Sequence, residues 1–184
     1  MSDDPFLTLI VEALNLMHPR FAAAHGREYP DYEVLGPDTG PSRRKDRERS
    51  FLMEFYHQFR HLWDQALPVR LGLGHVVVQG EPEPETLEDM IEGRPPDLLF
   101  WQLAEHGQPA RRLACVSVVF ASNPNALAED LQMLSTFRRH RGYPQAVGVI
   151  VGRVADLPDT GGPSAEGVSI VFFDTDRWQA LSVA

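Results

Sequence analysis

The chain has 184 residues, 43% of them hydrophobic, with 17 Lys+Arg against 26 Asp+Glu and a formal charge of −9. This length favours one domain, and this apolar content excludes a disordered chain. The acidic balance argues against a non-specific nucleic-acid binder while leaving room for a local basic patch, and the single cysteine, Cys115, excludes a disulfide framework or a multi-cysteine metal site.

The first four residues, Met-Ser-Asp-Asp, are acidic where a secretory signal would be basic. Phe6 to Met17 is too short, and with Glu12 and Asn15 too polar, to cross a bilayer. The expectation is a soluble, cytoplasmic protein with no membrane partner.

Leu7, Ile10, Val11, Leu14 and Met17 recur at helical spacing, which predicts a helix over Pro5 to Met17 with Asp3 or Asp4 as its cap. Gly, Pro and Asp then punctuate Gly26 to Pro41, so residues 1–40 read as a helix and linker ahead of a core domain over 41–184. The charged run Ser42 to Ser50 leads into the strongest predicted helix, Lys45 to Gln65, with an apolar stripe of Phe51, Leu52, Phe55, Phe59, Leu62 and Trp63. Glu54, Gln58 and His61 share one flank of that stripe.

A short strand is predicted over Gly74 to Gln79, followed by an acidic stretch from Glu81 to Glu92 that contains a helical turn or two. Pro95-Pro96-Asp97 opens a second strand, Leu98 to Leu103, and a turn makes a hairpin with a third, Arg111 to Phe120. A helix over Asn125 to His140, capped by Asn123 or Asn125, carries Leu127, Leu131, Leu134 and Phe137 on one face. Strands at Ala146 to Val151 and Val168 to Phe173 flank a loop, and a short tail with Trp178 ends the chain. A strand, crossover helix and strand imply a parallel pair. The fold class expected is therefore α/β, a mixed central sheet flanked by helices, with an N-terminal helical extension.

Strand alternation sets Cys115 and Ser117 on one face of the third strand with Leu113 and Val119, and Ala114, Val116, Val118 and Phe120 on the other. Asp97 follows a Pro-Pro pair that fixes the backbone. Glu54 on its helix, Asp97 and Ser117 are candidates to meet at one edge of the sheet. The plainer readings are a solvated Glu54, an Asp97 that caps a turn, and a Cys115 that serves as a small buried hydrophobe. His57 and His61 have zinc-compatible spacing but no third ligand near them in sequence, and read as surface residues. Gly72 and Gly74 lack a phosphate-loop context.

Two basic clusters stand out. Arg138, Arg139, His140 and Arg141 end a helix, where positive charge is favourable. Arg43, Arg44 and Lys45 lie near a helix start, where it is not, which makes them the better candidates for contacting phosphate or an acidic partner.

The element order, with Pro96-Asp97 at the second strand and an eighteen-residue step to Cys115, resembles the PD-(D/E)xK nuclease superfamily, the restriction-endonuclease-like fold, over Arg47 to Phe173. The resemblance implies an αβββαβ core. In active members a helix glutamate and two strand acids bind a divalent metal, and a lysine two residues after the second acid positions water. Carried over by position, these would be Glu54, Asp97, Cys115 and Ser117. The acid and the lysine are thus replaced. The one lysine of the chain, Lys45, lies outside any strand, and the next helix reads Asp130-Leu131-Gln132-Met133-Leu134 without a lysine. What the resemblance then implies is a catalytically inactive nuclease-like domain without a cofactor, a structural or adaptor subunit with a protein partner or a second copy, in a nucleic-acid-processing or defence assembly. One alternative is a Mg-dependent nuclease with a displaced site using Glu54, Asp97 and Gln79 or Glu81, with Arg112 for the missing lysine. The other is a nucleic-acid binder acting through Arg43, Arg44 and Arg138 to Arg141.

Overall fold

The computed structural model of the chain describes residues 5–18, 41–71, 76–80, 95–102, 109–121, 124–156 and 166–183. Among the described residues three α-helices, α1 (Pro5–Leu16), α2 (Pro41–Leu71) and α3 (Pro124–Arg141), accompany six strands: β1 (Val76–Gly80), β2 (Leu98–Gln102), β3 (Arg111–Phe120), β4 (Gln145–Gly152), β5 (Ser169–Asp174) and β6 (Gln179–Val183). The strands form one sheet in the order β1-β2-β3-β4-β5-β6. β1, β2 and β3 make an antiparallel meander, β3, β4 and β5 run parallel, and β6 returns antiparallel. The α/β class and the mixed sheet flanked by helices are as the sequence predicts.

Each helix starts at a proline, whose fixed φ suits the first helical position and whose missing N–H has no partner to lose there. α1 and α2 cover one face of the sheet. Their Phe6, Ile10, Leu14, Phe51, Phe55, Phe59 and Trp63 pack with Phe100, Val116, Val118, Val149, Val171 and Phe173 in one cluster. Aromatic rings tie it together: Phe59 and Phe100 have centroids 5.0 Å apart, and Phe51 stands edge-on to Phe120 at 5.8 Å and to Phe173 at 5.7 Å. α3 covers the other face, where Leu134 and Phe137 pack with Leu99 and Cys115, and Leu127 and Leu131 with Val119, Ile150 and Phe172.

The N-terminal helix buries its apolar face on this core. Asn15 Oδ1 accepts the β6 N–H of Ala180 at 2.8 Å, and Trp178 Nε1 donates to the Met17 carbonyl at 2.8 Å. Trp178 adopts a positive φ of 56°, held by that bond and by edge-on packing on Phe173 at 4.9 Å. The predicted linker and the acidic stretch Glu81 to Glu92 lie outside the described residues.

Three sequence expectations are corrected. β6 replaces the predicted tail: Asp174 accepts the Asp176 N–H at 3.0 Å, and the turn this forms sends the chain back along β5. α2 is longer than predicted at both ends. In β3 a register shift opposite Phe100 and Trp101 breaks the alternation, so Leu113 joins Ala114 in the cluster under α1 and α2 rather than facing the same way as Cys115.

Candidate functional site

The positions matched to a nuclease centre are distributed over two layers. Glu54 sits on α2, partly exposed, and its Oε1 accepts Gln58 Nε2 at 2.7 Å, an ordinary pair one helical turn apart. α2 lies on the face built from Val116 and Val118. Cys115 faces the opposite layer, under Leu134 and Phe137 of α3. Ser117 pairs with Gly148, and a Cβ at Gly148 would meet Leu131 at 3.0 Å and Leu134 at 3.7 Å, which places that position under α3 as well. The sheet therefore stands between Glu54 and the Cys115–Ser117 pair.

Asp97 is committed to the backbone. β2 begins at Leu98, opposite Val116, so the ladder does not extend to Val118. The Asp97 carboxylate takes over, its Oδ2 accepting the Val118 N–H at 2.7 Å. The preceding prolines supply no N–H, and the side chain carries the strand pairing one step further than the main chain does.

Cys115 is fully buried and its thiol points to the Gln145 carbonyl at 3.7 Å. Loss of hydration on burial pushes the thiol up to about 12, against the opposing effect of a main-chain hydrogen bond. It is a protonated, apolar-packed thiol and neither a nucleophile nor a ligand for a hard cation. The residues at the matched positions do not fit a magnesium site, which needs convergent oxygen ligands. Among the described residues no group of three or more His, Cys, Asp or Glu could hold a metal ion. His57 and His61 are both exposed on α2. Gln79 lies partly buried on β1, and Glu81 is outside the described residues.

The basic clusters fare differently from each other. Arg43, Arg44 and Lys45 fall in the first turns of α2, and their side chains lie outside the described residues. Arg138, Arg139 and His140 are exposed at the end of α3. Arg139 pairs with Glu166, and Ser135 Oγ donates to the Glu166 carbonyl at 3.1 Å, so α3 pins the turn before β5. Arg138 lies against Gly167, whose φ of +73° disfavours any side chain at that position.

Sequence reasoning missed a polar network at the start of β3. Trp101 Nε1 donates to the Tyr143 hydroxyl at 2.7 Å. The Arg112 guanidinium stacks over the Tyr143 ring at 5.7 Å and donates from Nη1 to the Arg141 carbonyl, closing the C-terminal end of α3. Burial raises the Tyr143 phenol above its ordinary value, while the Trp101 bond and the Arg112 charge pull it down. The tyrosine directly after Gly142, just past the helix end, was the available signal, but its partners lie 42 and 31 residues away in sequence.

Also missed was Asp174, a buried carboxylate at the carboxyl end of β5, 3.7 Å from Arg177 Nε. No family model, curated protein or solved structure matches the chain. No helix among the described residues is long and apolar enough to cross a membrane.

Proposed function

We propose that the chain is a non-hydrolytic domain of restriction-endonuclease-like architecture that serves as a structural or adaptor subunit, a binding platform in a nucleic-acid-processing or defence assembly. The observation that carries the reading is β3. A nuclease of this type needs an acid and a lysine two residues apart on that strand. Here the buried part, Leu113 to Phe120, offers Cys115 and Ser117 under α3 and only Leu113, Ala114, Val116, Val118 and Phe120 under α1 and α2. Neither face supplies a carboxylate or an ammonium, so a register shift would not restore the pair. The meander β1-β2-β3, the crossover through α3 and the parallel β4 follow the element order that the resemblance implies.

The remaining carboxylates support the same reading. Asp97 is engaged by the Val118 N–H, and Glu54 is on the far side of the sheet from Cys115. Metal-assisted hydrolysis needs several hard ligands and a group that orients water at one point. The test is incubation of purified protein with single- and double-stranded DNA and RNA in the presence of Mg²⁺ or Mn²⁺. No cleavage is expected, and cleavage that disappears in Asp97→Asn overturns the reading.

A further inference from the structure

We propose that the end of the molecule formed by the start of β3 and the end of α3 is a binding surface for single-stranded nucleic acid. Two elements distant in sequence bring their cations together there. β3 contributes Arg111 and Arg112, both exposed, and α3 contributes Arg138 and Arg141 in its last turn, with the exposed His140 between them. The Arg112 bond to the Arg141 carbonyl joins the two elements directly. A helix C-terminus attracts positive charge over its last turn. That accounts for cations on α3, but not for two more arginines delivered by a separate strand. In a chain of net charge −9 this concentration of one sign is complementary to a phosphate backbone.

Arginine is suited to the task, since its planar fork meets phosphate oxygens in pairs. The surface also holds part of an aromatic group. Trp101 packs against the cluster under α3 and keeps only part of its indole exposed, with its N–H fixed on Tyr143, so the orientation of the exposed part is set in advance. An indole stacks on unpaired bases, which a duplex does not offer, and this favours a single strand.

The surface lies away from the nuclease-like positions. Asp97 meets β3 at Val118, six residues from Arg112, a separation of about 20 Å along an extended strand. The inference therefore goes beyond the non-hydrolytic reading and does not depend on it: one is tested by cleavage, the other by binding.

The experiment is fluorescence anisotropy of a labelled oligothymidylate, and of a duplex of the same length, titrated with the full chain over a series of KCl concentrations. Wild type is compared with Arg111→Glu/His140→Glu, two exposed positions, and with Arg43→Glu/Arg44→Glu at the start of α2. Circular dichroism verifies that each variant is folded. The expected result is single-strand binding that weakens with salt and prefers the oligothymidylate over the duplex. Arg111→Glu/His140→Glu should weaken it by tenfold or more and lower the salt slope, by about 0.7 for each phosphate that is no longer neutralised. The α2 variant should bind as wild type does.

Absence of binding at low salt overturns the proposal, as does a preference for the duplex. Loss of binding in the α2 variant with retention in the Arg111→Glu/His140→Glu variant moves the site to α2 and overturns it too. Salt-sensitive self-association without oligonucleotide binding, dispersed by Arg111→Glu/His140→Glu, overturns it by assigning the surface to contact between copies instead.

Discussion

Replacing Asp97 with alanine is expected to destabilise the fold, because this carboxylate completes the pairing of β2 with β3. Its Oδ2 accepts the Val118 N–H at 2.7 Å, and Val118 is buried. A hydrogen bond to a charged acceptor contributes roughly 1.5–3 kcal/mol, and a buried donor left unpaired costs about 1–3 kcal/mol. Alanine removes the acceptor without replacing it, so a loss of about 2–3 kcal/mol is expected. For a chain of this length each kcal/mol moves the melting temperature by about 2–4 °C, giving a fall of roughly 4–12 °C. Asparagine keeps an acceptor oxygen at the same place and loses only the charge, so Asp97→Asn should cost about 1 kcal/mol. Urea unfolding followed by tryptophan fluorescence measures both, and the order should be wild type, then asparagine, then alanine. An Asp97→Ala protein within about 0.5 kcal/mol of wild type, the range of an ordinary surface change, would refute the argument.

Cys115 should resist thiol reagents in the native protein at pH 8 and react once urea unfolds it, as measured by absorbance with a disulfide reagent. Its folded value lies near 12 and its unfolded value near 9. The contribution of the neutral thiol is thus fully present below pH 9 and is lost as pH rises towards 12. Over that window the stability advantage of wild type over Cys115→Ala should shrink by up to about 1.4 kcal/mol per pH unit in urea titrations. Gly152→Ala would bring a Cβ within 2.6 Å of the Ala121 Cβ, where backbone has to shift, and should cost about 1–3 kcal/mol by thermal melting. Asn15→Ala removes the acceptor for the Ala180 N–H and should cost about 1 kcal/mol, with hydrogen exchange at Ala180 rising as the local readout.

The legible parts of this fold were those written in continuous apolar pattern. β3 was predicted at its observed limits, and α3 within one residue at each end, because long runs of matching period admit few alternatives. β6 escaped because Gln179 to Val183 is short, and its inward Ala180 is too small to mark an alternation. The positions of Asp97 just ahead of β2 and of Cys115 and Ser117 on β3 could be read, but not the side of the sheet that α2 would cover. Periodicity gives a helix its apolar face without saying which layer receives it, and that choice separates Glu54 from Cys115. Nor does a Pro-Pro-Asp sequence reveal that the carboxylate will be taken by a backbone N–H twenty-one residues away. The Trp101–Tyr143–Arg112 network was hidden for the same reason: it joins three segments through contacts that leave no local pattern.

The proposed lack of hydrolytic activity is tested most directly by a metal-supplemented cleavage assay. Wild type and Asp97→Asn, the milder of the two substitutions, are incubated with single- and double-stranded DNA and RNA in Mg²⁺ and in Mn²⁺. Intact substrate is expected with both proteins, since β3 supplies neither the acid nor the lysine. Metal-dependent cleavage by wild type that is abolished in a folded Asp97→Asn protein would contradict it.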